Sequence, residues 1–246
     1  MKTIRTIGTG DRVIYVYEKE PHLRSSEEKW GVRPLRTQRV KKKLLVLGSG
    51  RSGTMFTAKA LRTVGINVLH EKVGEHGTVS HYFVVDSDWY PMAPWQTIAG
   101  KKHVGERRSD FDFEHTVHIV RDPRKAIPSM TKIFGSVTWQ FYVDNGVIPD
   151  VRKNNILRAM HYWLAHNELS AAQAHLSFNL ERYQHAWPAL MELIGENEPY
   201  PKHLKPMNKT GGFRSYEPIT FADMIAVDAD LGKRIKSLAN FYGYKE

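Results

Sequence analysis

A glycine-rich segment between an apolar run and a helix-compatible run constrains the fold of this chain more than any other feature. Residues 44–47 are apolar, residues 48–54 read GSGRSGT, and residues 55–64 can form a helix. A strand that passes through such a bend into a helix directs consecutive backbone N–H groups and the start of the helix toward one anion. The segment therefore predicts a phosphate-binding loop. A tight strand-to-helix turn that binds nothing is the alternative, because it has the same glycine pattern.

The loop differs from the one that binds nucleoside triphosphates. Gly48 and Gly53 have the spacing of the two glycines in that loop. Thr54 and Met55, however, stand where it has a lysine and a hydroxyl residue for the terminal phosphates and magnesium. The cation lies inside the loop instead, as Arg51. This composition favours an anionic ligand and argues against magnesium-dependent ATP hydrolysis.

A second candidate anion site lies about seventy residues further along the chain. The apolar run 117–120 ends at Arg121, and the next residues, Asp122 and Pro123, suit the cap and first turn of a helix. Ser129 follows Arg121 by eight residues on that predicted helix. An arginine at the end of a strand and a serine on the next helix could flank one anion. A capped surface helix with solvated polar groups is the alternative.

Together these two motifs resemble those of the sulfotransferases that use 3′-phosphoadenosine 5′-phosphosulfate (PAPS). In that family the strand, loop and helix grip the 5′-phosphosulfate, and an arginine at a strand end plus a serine eight residues later grip the 3′-phosphate. Residues 50–54 are similar to the arginine form of the first motif, which the carbohydrate and bacterial branches have. Residues 121–124 followed by Ser129 are similar to the second. Weaker likeness extends the resemblance over residues 41–246.

The order of elements predicts the fold class. From residue 44 onward, predicted strands alternate with predicted helices, which indicates an α/β fold with a mainly parallel sheet flanked by helices. The resemblance implies the same architecture, of the P-loop nucleotide-binding, sulfotransferase-like type. We expect a single domain over residues 44–246 and an N-terminal extension over residues 1–43 that packs on it. The predicted strands after the first are 66–69, 117–120 and 176–180, the predicted long helix is 152–174, and residues 74–108 are expected to be irregular and to shape an acceptor cleft.

The resemblance also implies which residues bind PAPS and its product, 3′,5′-adenosine bisphosphate. The loop residues would bind the 5′ end, and the strand-end pair would bind the 3′-phosphate. A basic segment near residues 211 and 212 is similar to the family's late 3′-phosphate loop. The expected PAPS-binding residues are Gly50, Arg51, Ser52, Gly53, Thr54, Arg121, Ser129, Lys209 and Arg214.

Two neighbouring residues are candidates for the catalytic base. His70 and Glu71 follow the second predicted strand and should reach the same sheet edge as the loop. An acceptor hydroxyl or amine must lose its proton as it attacks sulfur, and a carboxylate or an imidazole can take it. The resemblance favours Glu71, His70 is the rival, and Arg51 would stabilise the charge of the departing group. A solvated or helix-capping glutamate is the structural alternative, and further candidates are His76 and His81.

The composition of the chain indicates which classes of ligand and which cellular compartment to expect. A net charge of +10 and an isoelectric point near 9.6 favour anionic partners, whether a nucleotide, an acidic glycan or nucleic acid. The absence of cysteine suits a reducing compartment. The sequence has no apolar run of membrane-spanning length, no signal-peptide core and no histidine spacing typical of a metal site. We therefore expect a soluble, cytoplasmic protein of bacterial or viral origin that needs no metal.

These features favour a sulfotransferase that moves a sulfonate group from PAPS to a hydroxyl or amine, with a carbohydrate among the candidate acceptors. A phosphotransferase or nucleotide hydrolase of the P-loop type is a second possibility, to which Thr54 is an objection. A non-catalytic polyanion-binding protein is a third, although no zinc knuckle, basic zipper or other specific nucleic-acid motif supports it. The acceptor and the oligomeric state stay open.

Overall fold

The computed structural model describes residues 3–8, 13–17, 38–87, 107–151, 154–204 and 217–245. The chain divides into two compact units, residues 1–38 and 39–246. In the first unit, strands β1 (Thr3–Gly8) and β2 (Val13–Tyr17) pair antiparallel. The packing of an N-terminal extension on the larger domain stays a prediction.

The second unit is built on five parallel strands in the spatial order β4-β5-β3-β6-β7. This arrangement, with helices flanking the sheet, confirms the predicted α/β fold class. The bounds of the strands are β3 (Val40–Gly48), β4 (Val68–His70), β5 (Gly77–Ser80), β6 (Phe111–Val120) and β7 (Leu176–Asn179).

The prediction that residues 74–108 are irregular is wrong for residues 77–80, which form strand β5. Its four residues, GTVS, contain one apolar side chain, so no apolar run marked it as a strand. Gly77 is required there because a Cβ atom would lie 1.7 Å from the carbonyl oxygen of Leu44 on the neighbouring strand. Residues 88–106 lie outside the described part of the chain.

Seven helices are described in this unit. The helix at 136–144 was missed because SVTWQFYVD has apolar and aromatic residues on several faces, without the one-sided stripe of a surface helix. The long helix begins at Asn155, where the Asn154 side chain accepts a hydrogen bond from the Leu157 N–H. Their bounds are α1 (Thr54–Thr63), α2 (Pro123–Ile133), α3 (Ser136–Asp144), α4 (Asn155–Gln173), α5 (Tyr183–Leu193), α6 (Phe221–Val227) and α7 (Ala229–Phe241).

Two hydrophobic clusters cover the two faces of the sheet. Leu45 and Leu47 of β3 belong to one cluster, whereas the alternate residues Leu44 and Val46 belong to the other. All four side chains are fully buried. A strand buried on both faces reads as a continuous apolar run, which is the pattern of residues 44–47. In the part of the chain that the structure describes, no helix has both the length and the apolar character needed to cross a membrane.

Candidate anion-binding and catalytic site

The parallel sheet collects the candidate residues at one edge. The carboxyl ends of all five strands lie on the same side, which is where ligands bind in open α/β sheets. Residues 49–53 follow β3, Glu71 follows β4, His81 follows β5 and Arg121 follows β6. The structure therefore brings the loop, the candidate base and the strand-end arginine to the same edge.

The loop backbone has a positive φ angle at Gly53 and at Arg51. Gly53 has φ 87° and directly precedes α1, and a Cβ atom there would lie 2.7 Å from the Leu180 side chain. Arg51 also has a positive φ of 74°, which is uncommon for a residue other than glycine. The first N–H groups of α1 have no acceptor within the helix. These N–H groups lie at the end of α1 that follows the loop, where they can bind an anion.

One side of the loop is closed by aromatic residues. A Cβ atom on Gly50 would lie 2.1 Å from Cζ of Phe134. The N–H of Gly50 donates a hydrogen bond of 2.8 Å to the hydroxyl of Tyr162 on α4. Gly50 is therefore needed for the close approach of Phe134, and its N–H is bound to the protein.

The two sequence motifs contact each other directly. Nε of Arg51 donates to Oγ of Ser129 over 2.9 Å, and Nη1 of Arg121 donates to the carbonyl oxygen of Arg51 over 2.9 Å. Ser129 lies on α2 and is only 3% exposed. Asp122 caps this helix by accepting a hydrogen bond from the Arg124 N–H, as the sequence predicted. Two guanidinium groups and a hydroxyl thus converge at the strand ends.

Two residues that the sequence analysis missed hold the backbone beside Arg121. Nε1 of Trp163 donates to the carbonyl oxygen of Arg121 over 3.1 Å. The hydroxyl of Tyr244 donates to the carbonyl oxygen of Val120 over 3.0 Å. The same Tyr244 hydroxyl also lies within hydrogen-bonding distance of the Glu181 carboxylate. Both residues lie in segments of only weak family likeness, and their roles depend on contacts between segments far apart in the sequence.

Two loop hydroxyls are buried and have no hydrogen-bond partner within the described ranges, Oγ of Ser49 and Oγ of Ser52. A Cβ atom on Gly48 would lie 2.5 Å from Oγ of Ser52. A glycine at position 48 therefore leaves the space that this hydroxyl occupies. Buried hydroxyl groups usually have a partner, so these two have unused hydrogen-bonding capacity beside the loop.

Both candidate bases lie next to the loop. Nε2 of His70 is 3.0 Å from Oγ1 of Thr54. Oε1 of Glu71 accepts a 2.9 Å hydrogen bond from the His81 N–H, and Oε2 accepts one of 2.5 Å from the Ser80 hydroxyl. The side chains of His70 and Glu71 are 27% and 13% exposed, with Nε2 and Oε1 separated by 3.6 Å. Glu71 has φ 54°, a conformation that non-glycine residues keep only where the surrounding structure holds it.

His81 also lies beside the Glu71 carboxylate. Its Nε2 is 3.7 Å from Oε1 of Glu71, and its Nδ1 is 2.6 Å from the hydroxyl of Tyr142. Burial lowers the pKa of His81, although the neighbouring Glu71 carboxylate opposes the shift. We therefore treat this imidazole as neutral at neutral pH.

The remaining sequence candidates do not join this cluster. His76 accepts a 2.8 Å hydrogen bond from the Asn67 N–H through Nδ1, in the turn before β5. Lys209 and Arg214 lie outside the described residues. Across residues 38–87, 107–151, 154–204 and 217–245, no three His, Asp or Glu side chains are grouped closely enough to hold a metal ion.

The chain was compared with protein families, curated proteins and solved structures. No protein-family model and no curated protein matches the sequence. The structure is similar to the sulfotransferase domain from the curacin biosynthetic pathway, with 13% sequence identity and a TM-score of 0.42. The match covers 85% of this chain and 99% of that domain.

Proposed function

We propose that this protein is a PAPS-dependent sulfotransferase that transfers a sulfonate group to a hydroxyl or amine of an acceptor. The observation that carries the proposal is the contact of Arg51 with Ser129 and of Arg121 with the backbone of Arg51. The family resemblance assigns these residues to opposite ends of one nucleotide. Their convergence at the carboxyl edge of the sheet is what a single ligand with two anionic ends requires.

The donor groups at this edge suit such a ligand. Arg51, Ser52 and Thr54, with the first N–H groups of α1, would bind the 5′-phosphosulfate. Arg121 and Ser129 would bind the 3′-phosphate. Hydrogen bonds from guanidinium groups to phosphate oxygens are charge-assisted and about twice as strong as neutral ones. Oγ of Ser52, which has no hydrogen-bond partner among the described residues, adds a donor at the position where the family resemblance expects one.

The proposed chemistry assigns a role to each group. PAPS, when bound, supplies the sulfonate group and a nucleotide leaving group. Arg51 and the start of α1 stabilise the negative charge that develops on the leaving oxygen, and preorganised donors are effective there because they need no reorganisation. Glu71 removes the acceptor proton, with His70 as the alternative base.

A ligand panel tests the proposal. A ligand that binds only the folded protein stabilises it by about 2.7 kcal/mol at a concentration one hundred times its Kd. We expect 3′,5′-adenosine bisphosphate to raise the melting temperature, and ATP with magnesium or an oligonucleotide to have little effect. Stabilisation by ATP with magnesium alone would favour the hydrolase alternative, and stabilisation by the oligonucleotide alone would favour polyanion binding.

Transfer itself is the decisive measurement. Radiolabelled sulfonate from PAPS should appear on an acceptor drawn from a panel of sugars, alcohols and amines. We expect the transfer to continue in excess chelator, because the loop has no lysine and hydroxyl pair for a magnesium-bound triphosphate. A strict requirement for a divalent ion would contradict this prediction.

A further inference from the structure

A chain of hydrogen bonds runs through the protein interior from the loop to the His81 ring, which lies beside Glu71. The N–H of Gly50 donates to the Tyr162 hydroxyl over 2.8 Å, and that hydroxyl donates to the Tyr142 hydroxyl over 3.2 Å. The Tyr142 hydroxyl lies 2.6 Å from Nδ1 of His81. On the other side of the His81 ring, Nε2 lies 3.7 Å from Oε1 of Glu71, too far for a hydrogen bond, and the backbone N–H of His81 donates to the same oxygen over 2.9 Å. Three side chains thus connect the loop with the candidate base.

The direction in which these groups donate hydrogen bonds depends on which ring nitrogen of His81 carries the proton. A neutral imidazole carries one proton, and Nε2 faces a carboxylate oxygen, so the favourable tautomer has the proton on Nε2. Nδ1 then accepts, and Tyr142 is the hydroxyl beside it. The single proton of the Tyr142 hydroxyl has two acceptors within reach, Nδ1 of His81 at 2.6 Å and the carbonyl oxygen of His81 at 2.9 Å. Nδ1 is the nearer, and the carbonyl oxygen also lies 2.9 Å from Nε2 of His166, so it keeps a donor when Tyr142 donates to Nδ1. Gly50, Tyr162 and Tyr142 can therefore each donate to the next group in the direction of His81, whose backbone N–H donates to Glu71.

The two tyrosines of the chain are shielded from solvent. Tyr142 and Tyr162 are fully buried, and their ring centroids lie 4.5 Å apart. Burial raises the pKa of both hydroxyls, so both keep their protons and cannot accept one from a substrate. Phe134 packs on the same group, with its ring stacked on His81 at 5.6 Å. These residues are suited to fix positions and are unsuited to exchange protons.

We infer that Tyr162, Tyr142 and His81 are positioning residues that hold the phosphate loop and the Glu71 carboxylate in a fixed spatial relation. Tyr162 holds the loop backbone at Gly50, and His81 holds the carboxylate through its backbone N–H, with Nε2 of its ring beside the same carboxylate oxygen. The functional meaning of the two ends rests on the proposed sulfotransferase activity. The hydrogen-bond directions do not depend on that activity, so they can be tested separately.

The ring nitrogens of His81 provide the first test. In a ¹⁵N spectrum of the whole protein, a His81→Gln variant identifies the signals of this ring. We expect a protonated Nε2 and an unprotonated Nδ1, and we expect the Nδ1 signal to move in Tyr142→Phe, which removes the donor. A protonated Nδ1 in the wild-type protein would overturn the inference, whatever the protein's function.

The second test measures function in matched tyrosine variants. Tyr162→Phe keeps the ring but leaves the buried N–H of Gly50 without its acceptor, so we expect the bisphosphate Kd to rise about tenfold. Tyr183→Phe is the control, because Tyr183 is equally buried but belongs to the cluster on the other face of the sheet. Its Kd should stay within about twofold of the wild type. Equal changes in the two variants would overturn the role of Tyr162.

A double variant separates positioning from general destabilisation. Tyr142→Phe should lower kcat in the wild-type background and have much less effect in Glu71→Gln, because the carboxylate that it orients is then absent. The same fractional loss in both backgrounds would overturn the link to Glu71. Failure of the wild-type protein to bind the bisphosphate would instead refute the proposed function, and the ¹⁵N spectrum would still decide the hydrogen-bond directions.

Discussion

At the scale of single residues, Arg121 has two separable roles. Its guanidinium donates to the carbonyl oxygen of Arg51 and is proposed to bind the 3′-phosphate. Arg121→Ala should weaken binding of 3′,5′-adenosine bisphosphate about ten- to a hundredfold, since charge-assisted hydrogen bonds contribute about 1.5–3 kcal/mol. The affinity for adenosine 5′-phosphate, measured by the same calorimetric titration, should fall less. That smaller loss reports only the support that Arg121 gives to the loop.

Arg124 provides the matched control for this measurement. It carries the same charge three residues away, but its Nε and Nη2 atoms bind the Asp122 carboxylate at 3.0 Å. Arg124→Ala should therefore change the affinity for the bisphosphate by less than about threefold, because its guanidinium is paired with Asp122 and not directed at the loop. Equal losses for both nucleotides in Arg121→Ala would contradict the assignment of the 3′-phosphate.

The choice between His70 and Glu71 is also a question about single residues. Glu71→Gln keeps the shape of the side chain and should keep the bisphosphate affinity, while kcat on a verified acceptor should fall about 10²–10⁴-fold. His70→Gln is the comparison, because His70 contacts Thr54 and should alter nucleotide affinity more than the chemical step. Normal turnover in Glu71→Gln with a loss in His70→Gln would make the histidine the base.

At the scale of elements, the junction between the loop and α1 depends on Gly53. Gly53 and Gly65 have nearly the same φ, 87° and 86°, but a Cβ atom meets the Leu180 side chain at the first and nothing within 4 Å at the second. Gly65→Ala should lower the free energy of unfolding by about 1–2 kcal/mol through backbone strain alone. Gly53→Ala should cost about 1–3 kcal/mol more, because it crowds Leu180. Urea unfolding of both variants measures the difference.

A compensating change checks the cause. Leu180→Ala removes the atoms that the new methyl group would meet, so Gly53→Ala with Leu180→Ala should cost less than the sum of the two single changes. Additive losses would show that crowding against Leu180 does not explain the requirement for glycine.

At the scale of the whole molecule, buried histidines make stability depend on pH. Burial lowers the pKa of His118 to about 4 and that of His166 to about 3. In the unfolded chain both groups bind a proton near pH 6.5, so the unfolded state is favoured as the pH falls below that value. The stability that comes from keeping these two histidines neutral is therefore fully present above about pH 7. It is lost as the pH falls from 6.5 toward 4 for His118 and toward 3 for His166.

The size of this effect can be tested with one substitution. His118 alone should contribute about 2 kcal/mol to the loss of stability between pH 7 and pH 5. Its Nε2 lies 2.9 Å from Oδ1 of Asn167, so His118→Gln will also lower stability at every pH. The informative quantity is the slope, which should be shallower in His118→Gln when the free energy of unfolding is measured in urea across this range. An unchanged slope would contradict the burial argument.

The sequence by itself determined the local features of the site. An apolar run, the loop glycines and the capping pair Asp122 and Pro123 act through neighbouring residues, so the strand, loop and helix could be predicted where they are observed. The parallel sheet followed from the order of the elements. The same reasoning failed for β5 and α3, because a four-residue strand and a helix without a one-sided apolar stripe lack a local signal.

Only the tertiary structure decided which side chains meet. Gly50 and Tyr162 are 112 positions apart, Arg51 and Ser129 are 78 apart, and Tyr244 and Val120 are 124 apart. Residue types limit what each group can donate or accept, but these contacts depend on how α2, α4 and the C-terminal segment pack on the sheet. The family motifs anticipated the arginines and the serine. The contacts among Tyr162, Tyr142 and His81 could not be predicted, because tertiary packing brings together residues that are far apart in the sequence.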